Sequence, residues 1–401
     1  MKSTDTVFFY RNHISGGGAE KILIDAINTF LHQNFRVVLI YRVCLNRNIF
    51  KRITNLNNIE FVQLDSTECY RWNSVKYIQS ICKNSRTVPL ISYCDYPIHH
   101  MLRDVRDLFT ETRLYWIHMD TNYPVHVHDS FRPVLDRYNL SVEDVYNGMD
   151  LIRLENPKFK NMYPEAVRDR IVGFYNEVNI PSVNNITLAG KYNLLSVNGL
   201  RSSRKSIIPL VEQLIANKLN NYHLYIIGEV NIEMERELLR VPGYDTLSEN
   251  VTILSEVDNI YDYYQACDYT ITTAEYEGTS NAILESICMG TPIVTSLESQ
   301  GTREIVEHGV NGVLCNVVAD IVPTLRVYIN NPVKRKALAA ATKMWGSDNI
   351  LKSRGQLNYV RLVQNRPLYV AKKTAYFDSI QQICNGVENT LLKAPWEYDN
   401  V

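Results

Sequence analysis

Two glutamates, Glu277 and Glu285, stand eight residues apart in the stretch TTAEYEGTSNAILESICMGTPIVTS, Thr272–Ser296. The pattern predicts a strand ending near Thr273, a loop holding Glu277 and Gly278, and a helix capped by Thr279 or Ser280. That helix runs to Met289, with Gly290 at its end and a second strand at Pro292–Thr295. The amides at a helix start, here those of Asn281 and Ala282, point outward and are suited to hold a phosphate. One carboxylate just before such a helix and another one to two turns inside it accept hydrogen bonds from hydroxyls on either side of that phosphate. A sugar–diphosphate–nucleoside has hydroxyl-rich rings on both sides of its phosphates and matches this layout.

Further groups suit the same chemistry. In LLSVNGLRSSRKSIIPLVEQL, Leu194–Leu214, a strand, a loop and a helix follow one another, and the loop holds Arg201, Arg204 and Lys205. Cations there stabilise the negative charge that grows on a departing diphosphate. NHISGGGAEK, Asn12–Lys21, sets Gly16, Gly17 and Gly18 between the first strand and its helix, where a backbone approaches a ligand closely. A dinucleotide-cofactor reading fails there: the third glycine is missing, and the second strand ends Tyr41-Arg42-Val43 rather than in a ribose-binding acid. No Gly-Lys-Ser/Thr of a P-loop is present. LYWIHMD, Leu114–Asp120, brings His118 to a predicted strand end. His126, His128 and Asp129 lie together without a further ligand of matching spacing for a metal. No Asp-x-Asp pair occurs anywhere in the chain.

These groups need a frame of alternating strands and helices. Strands are predicted at Thr6–Tyr10, Arg36–Val43, Ile59–Leu64, Val88–Ser92, Leu114–His118, Leu151–Leu154 and Ile171–Phe174. A second series follows at Asn193–Val197, His223–Ile227, Val251–Leu254, Tyr269–Thr273, Pro292–Thr295 and Gly312–Cys315. Helical patterns lie between many of them, as at Ala19–His32, Ile207–Asn217 and Ser280–Met289. Alternation of this kind means parallel sheets with crossover helices, and two series mean two doubly wound α/β domains. The expected boundaries are a first domain over 1–175, a polar join over 176–192, a second domain over 193–365 and a tail over 366–401 with a helix at Ala371–Leu392. Open α/β sheets bind ligands at the carboxyl ends of their strands, so two such sheets are expected to face a cleft.

Composition narrows the class. The 401 residues are 45% hydrophobic and 21% charged, with 42 Lys and Arg against 43 Asp and Glu for a net charge of −1, which excludes a wholesale electrostatic nucleic-acid binder. No run approaches a membrane span, and the first residues are too weakly apolar for a secretory signal. Eight scattered cysteines without a Cys-x-x-Cys pair fit a reducing cytoplasm. The 26 tyrosines suggest a carbohydrate-facing surface. Mixed apolar and basic stretches at Asn46–Thr54 and His100–Leu108 read as ordinary amphipathic helices, with contact to an anionic membrane surface as the other reading.

The EGTSNAILE segment resembles the Glu-x7-Glu signature of retaining glycosyltransferases of GT-B fold, family 4, whose pattern is Glu-Gly-x-Pro followed by Glu five residues on; Ser280 replaces the usual Pro. SQGTREIVEHGVNGVLC, Ser299–Cys315, is similar to the family's next segment, with Gln300 where a second Gly is common and Arg303 where Pro is. The resemblance implies that Glu277 contacts the donor sugar and Glu285 the ribose, with Gly278, Thr279, Ser280, Asn281 and Ala282 lining the donor. Gly301 and Thr302 are expected to bring their turn against it, with neighbouring amides facing the donor. Glu304 reads equally as a helix cap and as a ligand contact, and Asn311-Gly312 as a turn. The family's Lys matches Lys205, and its Arg matches either Arg201 or Arg204. Gly17 and Gly18 fall beside the donor phosphates and acceptor, and His118 near the sugar.

The activity so implied is transfer of a sugar, with retention, from a nucleotide-diphosphate sugar, a UDP-sugar by expectation, to a glycan or lipid-linked glycan. The setting is bacterial lipopolysaccharide or capsule synthesis in the cytoplasm or at the inner face of the membrane. Neither metal nor cofactor is expected, and no nucleic-acid partner. A last helix is expected to return to the first domain. A GT-B sugar-nucleotide epimerase and a non-catalytic glycan-binding or partner subunit are the rival readings.

Overall fold

The computed structural model describes residues 6–14, 18–64, 87–93, 113–120, 146, 149–197, 207–219, 221–255, 257–275, 277–353, 355–364 and 391–392. The chain divides into two compact units, Met1–Phe174 with Gly355–Val401, and Tyr175–Arg354. In the first, β1 (Thr6–Ile14) leads through α1 (Gly18–His32) to β2 (Arg36–Cys44), β3 (Ile59–Leu64), β4 (Thr87–Tyr93), β5 (Arg113–Asp120), β6 (Leu151–Leu154) and β7 (Ile171–Gly173). The second contains β8 (Tyr192–Ser196), α2 (Ile208–Asn217), β9 (Tyr222–Ile227), α3 (Ile232–Leu239), β10 (Val251–Leu254), α4 (Ile260–Ala266) and β11 (Tyr269–Ile271). It continues with α5 (Asn281–Met289), β12 (Ile293–Ser296), β13 (Gly312–Cys315), α6 (Ile321–Ile329) and α7 (Pro332–Asn349). α8 (Gly355–Gln364) and β14 (Leu391–Leu392) belong to the first unit.

Among the described residues the first unit has an eight-stranded sheet of order β14-β3-β2-β1-β4-β5-β6-β7, and the second a six-stranded sheet of order β10-β9-β8-β11-β12-β13. All pairs are parallel except β14 with β3. The strand sequences explain this. Val7, Phe8, Phe9 and Tyr10 of β1 and all six residues of β9 are buried, as strands covered on both faces must be. α1 lays Leu23, Ile24, Ala26, Ile27, Phe30 and Leu31 on its sheet. In each sheet the chain winds outward from a central strand and then reverses. The reversals fall between β1 and β4 and between β8 and β11, and a crevice opens at the carboxyl ends of such a pair.

Several expectations change. Residues 176–192 are not a separate join: they lie in the second unit, where Val183 and Leu188 pack against its core and Asn184 donates from its amide to Asp262 Oδ1 at 2.7 Å. The return to the first unit begins at Gly355 rather than 366, and α8 seats Tyr359, Val360 and Val363 in that unit's core. The helix expected at Ala371–Leu392 lies mostly outside the described residues, and its last two residues form β14 instead. Among the described residues many tyrosines serve the core rather than a surface: Tyr10, Tyr41, Tyr146, Tyr163, Tyr264, Tyr269 and Tyr359 are fully buried. At Asn46–Thr54 a 3-10 turn, Arg47–Arg52, buries Ile49 and leaves Lys51 and Arg52 exposed; His100–Leu108 lies outside the described residues.

Candidate active site

Glu277 sits six residues beyond β11, yet its loop is not loose. Past the end of β11 the chain is held by a row of bonds to β12 and the segment after it. Thr295 Oγ1 donates to the Thr272 carbonyl at 3.1 Å and Ser299 Oγ to the Ala274 carbonyl at 2.5 Å. The Gln300 amide then donates to the Glu275 carbonyl at 3.0 Å, and the Glu277 amide to the Gln300 carbonyl at 2.9 Å. Gly301, at φ +87°, closes the row, because a Cβ there would lie 1.5 Å from the Glu277 carbonyl oxygen. Glu277 is thus a buried carboxylate on a doubly anchored backbone.

Four residues on, α5 begins. Ser280 holds the N-cap position at φ −67° and ψ 120°, but its side chain makes no capping hydrogen bond. The expected hydroxyl cap is absent, which leaves the helix start without the side-chain oxygen that would compete with an anion. Asn281 Oδ1, at the first helical position, accepts from Asn176 Nδ2 at 3.0 Å. Gly290 ends the helix in the left-handed region, as its position predicts. Glu285 lies one turn in, buried, with Oε2 accepting from Tyr264 Oη at 3.3 Å. Its charge and the burial of the neighbouring Cys288 show in that thiol: burial first, then Glu285, pushes it up to about 12.

The turn after β12 departs from expectation. The Gln300 amide is spent on Glu275, and the Gly301 amide donates to Glu304 Oε2 at 2.7 Å, so these two amides do not face a donor. The glycine is needed for close approach to Glu277. Glu304 also takes Arg303 Nε at 2.8 Å, which makes it a brace of its own turn. Thr302 is fully buried. Asn311 is more than a turn residue: it is buried and ties Ile305 and Glu307 together through its side-chain amide.

Arg201, Arg204 and Lys205 lie outside the described residues, but the chain leaves for them from the carboxyl end of β8, the strand beside β11. The two loops that carry the sequence-predicted donor groups therefore spring from the two strands that flank the reversal of this sheet. In the first unit Gly17 lies outside the described residues, and Gly18 opens α1 in an exposed position. Glu20 turns to Arg11, 2.9 Å away and buried. His13, near the end of β1, receives Arg42 of β2 at 2.8 Å. His118 is not at a strand end: β5 runs two residues further, and its side chain lies outside the described residues, as do His126, His128 and Asp129.

Asn176 and Tyr264 were missed by sequence reasoning. Asn176 lies in a stretch with little apolar periodicity, and Tyr264 falls outside the strands and helices named from the sequence pattern. Among the described residues no group of three His, Cys, Asp or Glu gathers as metal ligands, and no helix is long and apolar enough to cross a membrane.

Residues 187–330 match the family model of Glycosyl transferases group 1. The chain carries a group 1 glycosyltransferase domain. That domain holds β8 to β13, both glutamates and the cationic loop. Across most of its length the chain is similar to an uncharacterized glycosyltransferase of Haemophilus influenzae, 24% identical over 348 residues, 85% of this chain and 95% of that one. It is also similar to the N-acetylgalactosamine-N,N'-diacetylbacillosaminyl-diphospho-undecaprenol 4-alpha-N-acetylgalactosaminyltransferase of Campylobacter jejuni, 23% identical over 302 residues, 72% of this chain and 80% of that one. The crystal structure of Anabaena Alr3699/HepE in complex with UDP matches with a TM-score of 0.70 at 15% identity, covering 90% of this chain and 100% of that one. The fold is that of GT-B glycosyltransferases.

Proposed function

We propose that this glycosyltransferase moves a sugar, with retention of its anomeric configuration, from a UDP-sugar to a glycan or lipid-linked glycan acceptor in bacterial surface polysaccharide synthesis. The observation that carries the reading is the anchoring of Glu277 immediately before an uncapped helix that holds Glu285, at the reversal of the second sheet. Support for the donor comes from the neighbour solved with UDP, and for the acceptor class from the relative whose name describes a diphospho-undecaprenol acceptor.

In this reading Glu277, beside Gly278 and Thr279, orients the donor sugar. The helix start at Ser280, Asn281 and Ala282 faces the diphosphate, with Thr302 buried behind the Glu277 loop, and Glu285 holds the ribose. Lys205 with Arg201 or Arg204 offsets the charge of the departing diphosphate, so that no metal is required. Gly17 and Gly18 approach the phosphates and acceptor, and His118 the sugar. The bond from the anomeric carbon to the diphosphate oxygen breaks, the acceptor hydroxyl oxygen bonds to that carbon on the same face, and its proton passes to the leaving phosphate. The protein contributes positioning and charge stabilisation. Its place of work is the cytoplasm or the inner face of the membrane.

A thermal-shift panel of uridine, guanosine, cytidine and adenosine diphosphates with chelator tests this. At a hundred times its dissociation constant a ligand adds about 2.7 kcal/mol. UDP is expected to stabilise the wild type without metal and Glu285→Ala much less. A folded protein that none of the four stabilises contradicts the donor assignment. Formation of a glycoside with release of UDP separates transfer from epimerisation and from binding alone.

A further inference from the structure

We infer that Tyr264 is a positioning residue for the donor's ribose, acting through Glu285. The inference rests on the reading of Glu285 as the ribose-binding carboxylate and adds the group that sets that carboxylate's orientation.

Rotation about the last bond of a glutamate side chain is broad and weakly restrained. A carboxylate that must meet two ribose hydroxyls therefore needs its plane held by the protein. Tyr264 Oη donates to Glu285 Oε2 at 3.3 Å, from a side chain with no exposed surface. Tyr264 is itself held at its backbone and at its ring. Thr291 Oγ1 donates to the Tyr264 carbonyl, and the Tyr261 ring meets the Tyr264 ring edge-on at 5.8 Å. The Glu285 side is fixed as well: next to it, Ser286 Oγ donates to the Thr291 carbonyl at 2.9 Å and lies 2.7 Å from Thr270 Oγ1. Thr291 thus ties α4 and α5 together behind the pair. Burial, followed by the charge of Glu285, lifts the phenol well above a tyrosine's ordinary range, so it stays a donor at every working pH. A core tyrosine in this place needs only its ring. The hydroxyl aimed at a site carboxylate is what the packing does not require.

The experiment compares UDP with 2′,3′-dideoxy-UDP by calorimetric titration of wild type, Tyr264→Phe, Glu285→Gln and the double variant, with melting curves for each. The wild type is expected to favour UDP. Tyr264→Phe is expected to weaken UDP roughly five- to tenfold, the scale of one ordinary hydrogen bond, and to leave dideoxy-UDP unchanged. The double variant is expected to bind no more weakly than Glu285→Gln. Equal weakening of both ligands by Tyr264→Phe, or an unchanged preference, overturns the inference and leaves Tyr264 a packing residue. A double variant whose losses simply add also overturns it. A wild type that binds both ligands alike overturns the ribose role of Glu285 itself, a distinct failure seen before any variant is made.

Discussion

The carbonyl oxygen of Glu277 occupies the space that a side chain at Gly301 would need, at 1.5 Å from the position of its Cβ. The two residues belong to loops after different strands, β11 and β12, and the contact makes those loops one body. Bonds from Gln300 to Glu275 and from Glu277 to Gln300 run alongside it. A carboxylate that must orient a sugar to within a fraction of an ångström gains from such anchoring.

Gly301→Ala therefore acts on Glu277. Its φ of +87° alone costs about 1–3 kcal/mol in a residue with a side chain, and the Glu277 loop must also move. A melting temperature lower by several degrees and turnover reduced at least about a hundredfold are expected. Wild-type turnover in this variant would show that the Glu277 loop tolerates displacement.

Ser280→Pro is expected to be harmless or mildly stabilising. The backbone at Ser280 already has the φ of proline, its hydroxyl caps nothing, and only its carbonyl is used, by the Leu284 amide at 3.2 Å. A compatible proline adds about 0.4–1 kcal/mol by restricting the unfolded chain. Calorimetry should show a melting temperature unchanged or higher by about 1–4 °C. A clear fall would mean that Thr279 cannot accept the backbone region a following proline demands.

Arg153 is fully buried where the first unit's two chain segments meet. Its guanidinium lies 4.5 Å from the Phe174 ring and 5.3 Å from the Tyr359 ring, and it donates to the Phe174 carbonyl at 2.8 Å. Glu155 is 3.6 Å away. Arg153→Met keeps the volume but leaves a buried carboxylate without this cation, a cost of about 3–5 kcal/mol. Faster amide exchange in α8 and a lower melting temperature are the expected readouts. Adding Glu155→Gln should recover part of the loss, and no recovery would show that stacking, not charge, is what Arg153 provides.

The His13 imidazole is held below its ordinary 6.5, by burial first and then by the Arg42 and Arg11 guanidinium groups. The unfolded chain binds that proton more readily. The stability this histidine contributes is therefore complete above about pH 6.5 and is lost as pH falls through the folded-state value. A proton NMR titration should place the His13 midpoint below 6.5, and Arg42→Gln should move it upward. A wild-type midpoint at or above 6.5 would contradict the geometry of the pair.

Much of this protein is determined locally. Every strand expected from a β-branched run appears within a few residues of its place, because a strand buried on both faces must be apolar throughout and the helices between must keep one apolar face. The pair Glu277 and Glu285, the helix between β11 and β12 and the Gly290 terminus follow from the same local rules. Neighbours distant in sequence decided the rest. Strand order, and with it the reversal that brings the Glu277 loop beside the segment leaving β8, depends on sheet pairing that no periodicity encodes. The true reason for Gly301 lies 24 residues away in Glu277, and the orientation of Glu285 depends on Tyr264, on another helix. Asn176, at the start of the second unit, and α8, in the first, show the same limit: their roles come from side chains brought close only by the fold, where composition suggested a polar join and a later tail. Hydrogen bonds and close contacts of this kind are set by three-dimensional packing, so local spacing carries no mark of them.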